Sequence, residues 1–383
     1  MLVCARMLRA LLLASFVMTI PGVVSASDLD DPFPLRDQLP FKLLFLDQAP
    51  AGADVQPARG ARFALSAAYE NTMVATDDLV LLFERTGAAT YDGRVTLPVL
   101  KSIATVQPSD SSYILDGETL RTVVNARVGL TPGLEIGVEL PFLTHSSGFL
   151  DGFIDSFHSR LSLPEGGRTG FAHNQFRAGY IGDGETVYFD TPPDGFRLGD
   201  IVLSITGALL RERSRAPAVN ATLSAKFPTG DFKTLDGSGS VDYGGALRIS
   251  KRWGRSAIHG GYAFNVLGDW RLAPGLPIKD SRSLFVAYAY SPTPRTSLIG
   301  QVLRTGGPFP FRPGNDLGKV AMEVFAGFRH RLPRGPCVES GFIENIDPFY
   351  NTPDIGAFVG FTYSTPPAGA GSTAGSSNPP TNP

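Results

Sequence analysis

Between residues 119 and 142 the chain reads TLRTVVNARVGLTPGLEIGVELPF. Charged and amide side chains (Arg121, Asn125, Arg127, Glu135, Glu139) take odd positions, while Leu120, Val124, Val128, Leu130, Leu134, Ile136, Val138, Leu140 and Phe142 take even ones. A period of two marks a strand with one wet and one dry face. The alternation recurs at 201–209, 219–227, 258–266 and 320–328, and no dry position in these stretches holds Asp, Glu, Lys or Arg. The wet phase carries Lys226, His259, Lys319, Glu323 and Arg329, with Asp200, Asn220 and Asn265 among them.

Strands are predicted near 62–72, 113–130, 133–143, 171–180, 185–190, 199–211, 217–228, 241–253, 256–267, 282–291, 295–304, 318–331, 338–346 and 354–363. Their connections alternate between tight turns (TPG at 131–133, WGR at 253–255, SPTPR at 291–295, LPRGPC at 332–337) and long loops at 144–170, 228–241, 268–281 and 304–318. Short turns at one end and long loops at the other is the organisation of a transmembrane up-and-down β-barrel. The expected fold is therefore all-β: an antiparallel barrel of about 14 strands, within a range of about 12 to 16. A soluble β-sandwich would alternate too. The barrel is preferred because the strands run ten residues or more, long enough to cross a bilayer at a tilt. The dry face also mixes Ala, Gly, Val and Phe without size matching, which fluid lipid accepts and a close-packed core resists. The last strand, IGAFVGFTY, ends on Phe361 and Tyr363, like the aromatic-terminated closing strand of outer-membrane barrels.

One segment breaks the period of two. In GFLDGFIDSFHSRL (148–161), Phe149, Leu150, Phe153, Ile154, Phe157 and Leu161 recur at helical spacing, with Asp151, Asp155 and His158 on the other side. This predicts an amphipathic helix of about three turns, capped by Ser146 or Ser147 and stopped by Pro164 and Gly166-Gly167. The favoured expectation for its polar side is a solvated face. A gate or lipid contact comes second. Third is a polar cluster of His145, Asp151, Asp155 and His158, with His173 nearby, that binds a metal or moves protons. Two carboxylates and an imidazole at this spacing are not a metal signature, so no metal and no cofactor is assigned.

Composition adds location. Charged residues are 18% of the 383, and Gly (43) and Pro (31) recur as turn clusters. Arg6 and Arg9, the apolar run Ala10 to Ile20 and Val24-Ser25-Ala26 have the order of a secretory signal, predicted to be cleaved after residue 26. Cleavage removes Cys4, leaves Cys337 alone without a disulfide partner, and takes the net charge from −2 to −4. Residues 27–60 are a proline-rich arm with one apolar knot, FKLLFL, expected to tuck into or under the barrel at 61–363. Residues 364–383 are a Gly/Ser/Pro tail expected to be disordered. No basic run suggests nucleic acid.

Several stretches together, LDGETLR (115–121), ELPFLTHSSGFLDGFIDSFH (139–158), KFPTGD (226–231), GSGSVDYG (237–244) and KRWGR (251–255), resemble an uncharacterised family of Gram-negative outer-membrane proteins, domain-of-unknown-function family 3187. The KFPTGD and GSGSVD stretches also resemble barrels suspected of carrying hydrophobic compounds. The resemblance implies an outer-membrane location and a barrel, with outer-membrane lipid and the barrel-assembly machinery as partners. It supplies no catalytic residue.

Of the functions weighed, a narrow channel or transporter for a small hydrophobic or polar solute is preferred. Its lumen would be lined by Arg121, Asn125, Arg127, Glu135, Glu139, Lys226, His259, Lys319, Glu323 and Arg329. The alternatives are an enzyme modifying lipid or lipopolysaccharide, with His158 near its substrate, and a structural or surface-binding barrel. Whether the chain is an enzyme is left open, with a non-catalytic role preferred, since HExxH, GxSxG, phosphate-loop and CxxC motifs are all absent.

Overall fold

The computed structural model describes residues 27–107, 109–161, 168–333, 335–346 and 351–365. The predicted signal and most of the predicted tail lie outside them, as do Pro164 and Gly166-Gly167.

The strands are β1 (Ala61–Ala75), β2 (Ser112–Thr131), β3 (Leu134–Ser146), β4 (Arg177–Gly182), β5 (Glu185–Phe189), β6 (Arg197–Leu198), β7 (Ile201–Leu210) and β8 (Ala218–Phe227). They continue as β9 (Asp242–Trp253), β10 (Ser256–Val266), β11 (Ser281–Thr293), β12 (Thr296–Gly306), β13 (Val320–Arg331), β14 (Cys337–Ile346) and β15 (Ile355–Ser364). Each ring strand pairs antiparallel with the next, β3 pairs with β7, and β15 returns to β1. The ring closes at twelve strands. Closure leaves no unpaired edge along the wall.

All fourteen predicted strands exist, but two of them stand outside the ring. β4 and β5 have only six and five residues, short of the nine to eleven or so that a tilted crossing needs. β4 pairs with the start of β2, where Ser112 to Asp116 lie beyond the reach of β3, whose last residue Ser146 pairs with Glu118, and β5 pairs with the outer side of β4. The weak candidate at 338–346, by contrast, is a true wall strand, β14.

Both ends of the described barrel meet at the short-turn end, where Thr365 N–H donates to the Ala61 carbonyl at 2.7 Å. At the other end, the loop between β1 and β2 folds into short helices, among them Asp77–Leu82 and Leu97–Val106. Leu79, Phe83, Val99, Leu100 and Ile103 pack there against Ile114 and Phe171. The alternation of period two had pointed past this small helical lobe, although Leu79/Phe83 and Val99/Ile103 have the i, i+4 spacing of a buried helix face.

Within the wall, the dry phase points away from the barrel axis. Val124, Val128, Leu130 and Ile136 are exposed, as are Leu203, Leu247, Tyr262, Val286, Leu298 and Phe328; Leu223 is 67% exposed. Leu120 is buried, opposite Tyr69, on which Phe149 stacks. The wet phase points inward, and what fills the inside is the chain's own arm. Residues 28–56 are almost wholly buried and touch strands around the ring.

The arm leaves the ring beside Gly129. Arg59 N–H donates to the Gly129 carbonyl at 2.8 Å, and a Cβ on Gly129 would lie 2.1 Å from the Pro57 carbonyl oxygen. Because the obstacle is backbone, Gly129→Ala is expected to destabilise the barrel by about 1–3 kcal/mol, the usual penalty of overpacking. The same variant should open residues 56–60 to protease. Urea titration and limited proteolysis of wild type and variant side by side check both.

Candidate functional site

The site is the lumen and its plug. The first part of the arm is fixed by arginines. Arg329, fully buried, donates to the backbone carbonyls of Asp28 (3.2 Å), Asp31 (2.6 Å) and Pro32 (3.3 Å), and its Nε donates to Glu339 at 2.6 Å. Arg62 pairs with Asp31 at 2.5 Å, and Arg252 pairs with Asp30 and Asp54, each at 2.8 Å. Burial works against the charge on Asp31, but Arg62 and Arg252 outweigh it and hold the carboxyl well below the usual carboxylate range.

Further along, the arm's backbone is satisfied by wall side chains rather than by a sheet ladder. Phe33 N–H donates to Gln301 at 3.0 Å, Leu46 N–H to Asp242 at 2.8 Å, Ala53 N–H to Ser250 at 2.8 Å and Gln56 N–H to Glu135 at 2.8 Å. Lys226 Nζ donates to the Leu44 carbonyl (2.9 Å) and sits between Asp200 (2.6 Å) and Asp242 (3.2 Å). An irregular chain can be buried only if its N–H and C=O groups find partners. The wet phase supplies them.

Two apolar clusters complete the seal. Phe33 and Leu35 pack against Phe285, Ile299, Leu303, Phe325 and Phe358 of the wall. The knot Phe41, Leu44 and Phe45 packs against Trp270, Phe309 and Leu317 from the long loops. A gap between arm and wall, lined by Arg36, Leu46, Arg121, Glu139, Pro141, Asp200 and Lys226, measures about 20 Å³, room for little more than one water. As it stands the lumen is shut there.

The residues singled out from the sequence take varied places. Arg127 pairs with Glu135 at 3.3 Å on a diagonal across the β2–β3 hairpin, and Arg121 pairs with Glu139, four residues from the position opposite it. Asn125 is half-buried on the same phase. His259 is buried, its Nδ1 2.8 Å from the Ser250 hydroxyl. Glu323 is buried beside Asp37, Glu70 and Lys42, a group with more carboxylates than cations; Lys42 pairs with Asp37 at 2.5 Å. Lys319 stands just before β13, half-exposed and paired with Asp316 at 2.7 Å. The partners that pattern reading passed over (Arg62, Asp242, Arg252, Ser250 and Gln301) lie on the inward phase of their strands. Their signal was the complementary charge of Asp28, Asp30 and Asp31 in the arm.

The loop helix forms at Asp151–Leu161, and its orientation reverses the favoured expectation. Asp151 and His158 are only 6% and 5% exposed, while Phe149 and Phe153 are 61% and 57% exposed. The polar side is pressed onto the outward phase of β1 and β2 at the long-loop end. Arg168 holds it there, donating to Asp151 (2.6 Å), Asp354 (2.8 Å) and Asn71 (3.0 Å). Glu118, rather than Ser146 or Ser147, receives the free N–H groups of Phe149 (2.8 Å) and Leu150 (2.6 Å), a carboxylate at the positive helix end. Asp155 pairs with His173 at 2.8 Å. His145 is not part of this group: it is buried on the inward phase, 3.0 Å from the Thr119 hydroxyl.

Fold and site together define a class: a closed antiparallel β-barrel whose bore is filled by its own N-terminal arm. The chain belongs to the family described as protein of unknown function (DUF3187), whose model matches residues 71–365. No curated protein matches the sequence. Among solved structures, the chain is similar in fold to an outer membrane channel from Pseudomonas putida F1 described as COG4313. The identity is 12%, covering 83% of this chain and 100% of that one, with a TM-score of 0.51. A looser likeness is to the Pseudomonas putida toluene transporter TodX, at 10% identity over 91% of this chain and 98% of that one, with a TM-score of 0.37.

Arg329 gathers three backbone carbonyls of the arm at once. Arg329→Ala strands Glu339 and leaves three buried carbonyls without a donor, so a loss of about 3–5 kcal/mol is expected. Loosening should be local, with residues 28–33 becoming protease-sensitive while the wall strands keep their circular dichroism.

Proposed function

We propose that this protein is an outer-membrane channel for small molecules, held shut by residues 27–57 and opened when that arm shifts. The membrane placement is supported by the side chains the wall shows to its surroundings. A belt of Leu, Val, Ile and Phe encircles the ring, with Phe63, Trp253, Tyr288 and Tyr290 toward the short-turn end. Aromatic girdles flanking an apolar band are what a bilayer selects. The loop helix points the same way. Phe153 on the helix and Phe149 just before it are exposed while Asp151 and His158 are buried, which offers two aromatic rings to the outer leaflet beside exposed Ser156, Ser159 and Arg160.

The channel reading rests above all on how the plug is held. Its contacts are ion pairs, side-chain hydrogen bonds and two apolar clusters rather than strand ladders, and the carboxyl groups of Asp37, Glu70 and Glu323 crowd together near Lys42 at the arm–wall boundary. Such a seat can be left and regained without breaking the wall. The lumen is two-sided, with Phe285, Ile299, Leu303, Phe325 and Phe358 on one flank and Arg121, Glu139, Lys226 and Arg248 on the other. It suits small solutes with an apolar body and a polar end. Twelve strands lie between the eight that side chains fill and the sixteen or so that leave a wide aqueous bore, so solutes must be small.

Planar-bilayer recording tests gating. The intact mature chain should show low, intermittent conductance, whereas a chain lacking residues 27–56 should show a steady open level several-fold larger. An equally closed, correctly folded deletion variant would refute the plug. For the membrane face, Leu223→Arg should weaken the barrel in liposomes by about 2–4 kcal/mol, as expected for Arg at mid-depth. An unaltered urea midpoint for that variant would argue that the belt meets water.

A further inference from the structure

On the outer side of the long-loop end, three potential metal ligands converge from distant parts of the sequence. His158 comes from the loop helix, Glu344 from the end of β14 and Asp354 from the turn before β15. Each offers one ligand atom, and these atoms lie within 4.8 Å of one another. His158 Nε2 is 3.7 Å from Asp354 Oδ1. We propose that these residues bind a divalent transition-metal cation that clamps the loop helix to the barrel rim.

Acidic residues near a histidine would not alone make a site. What adds weight is that the group is set up and unsatisfied. His158 is deeply buried with no hydrogen-bond partner at Nδ1, and its Nε2 stands 3.7 Å from Asp354 Oδ1, too far for a hydrogen bond. Glu344 Oε2 is likewise buried without a partner. Groups of this kind are costly to bury unless something pairs with them. Asp354 is oriented by its other atoms. Its Oδ2 accepts from Arg168 at 2.8 Å, its N–H donates to the Asn71 carbonyl at 2.8 Å, and its carbonyl accepts from Asn345 N–H at 3.2 Å. This leaves Oδ1 turned toward His158. A ligating carboxylate pinned by an outer hydrogen bond is the usual support of a metal site.

Local charge favours a cation. Asp354, Asp151 and Asp155 stand around Arg168, Glu344 adds a further carboxylate beside Asp354, and His173 lies on the exposed far side of Asp155. One imidazole and two carboxylates suit a borderline ion such as Zn²⁺ better than Ca²⁺ or Mg²⁺, which prefer all-oxygen sets. Zinc bonds to N and O of about 2.0–2.2 Å require the ligand atoms to draw together by about 1 Å or more, within reach of side-chain rotation, with water as the fourth ligand. The bound ion would join three segments that the backbone connects only through long loops.

The probe is Zn²⁺ added to the purified mature chain in detergent after chelator treatment, followed by isothermal titration calorimetry and by the visible spectrum of Co²⁺ in its place. One ion per chain should bind, and His158→Ala and Glu344→Gln should each weaken binding at least about tenfold. Glu344→Asp, which keeps the carboxylate, should restore most of it. Heat-modifiable migration on gels verifies that each variant is a folded barrel. Absence of saturable Zn²⁺ or Co²⁺ binding by the wild type overturns the proposal, as does binding that neither His158→Ala nor Glu344→Gln alters.

Discussion

A ring of twelve strands encloses a space too wide for its own inward side chains to fill and too narrow to be ignored. The constraint that organises this protein is what occupies that space. Residues 27–57 do so without any strand and with only two single helical turns, Ser27–Asp30 and Pro40–Leu43, so much of the segment brings unpaired N–H and C=O groups into a buried place. The inward phase answers with Gln301, Asp242, Ser250, Glu135 and Lys226 for the backbone, and with Arg62, Arg252 and Arg329 for the acids of the arm. Polar positions that look like the lining of a water-filled pore thus serve as the socket of a plug.

The outer side obeys the opposite requirement. Along the middle of the wall the outward side chains are apolar; at the long-loop end the outward polar groups Asn71, Glu118 and Glu344 lie beneath the loop helix or its neighbours, while Arg282 and Arg304 stand exposed at that end of β11 and β12. The helix is therefore a lid on a polar patch. Its own aromatic arc, Phe149 and Phe153, continues the apolar belt through Tyr69. Arg168 is the hub: its guanidinium reaches Asp151, Asp354 and Asn71 at once.

Much of the wall was legible because a strand's two faces are written at alternate positions, and each predicted strand exists. Membership in the ring was less legible, because β4 and β5 carry the same alternation at half the length. Only the extra reach of β2 beyond β3 explains where they attach. The helix at 151–161 was readable from its spacing, but its orientation was not: an amphipathic arc says which residues share a face, and what each face meets depends on partners such as Asn71, Glu118 and Asp354 that are far away in sequence. The same holds for the plug. FKLLFL marked the arm as something other than a linker, yet its destination depends on pairings such as Arg329 with Asp31 that no local pattern encodes. His145 shows the limit from another side, since proximity in sequence to Asp151 placed it in a cluster from which strand phase excludes it.

The central claim, that the arm is seated inside the ring, is tested most directly by hydrogen exchange of its amides in the intact, detergent-solubilised chain. Phe33, Leu46, Ala53 and Gln56 donate to buried wall side chains and should exchange orders of magnitude more slowly than an unstructured peptide. Exchange of all four at the unstructured rate, with the wall strands still protected, would contradict the account.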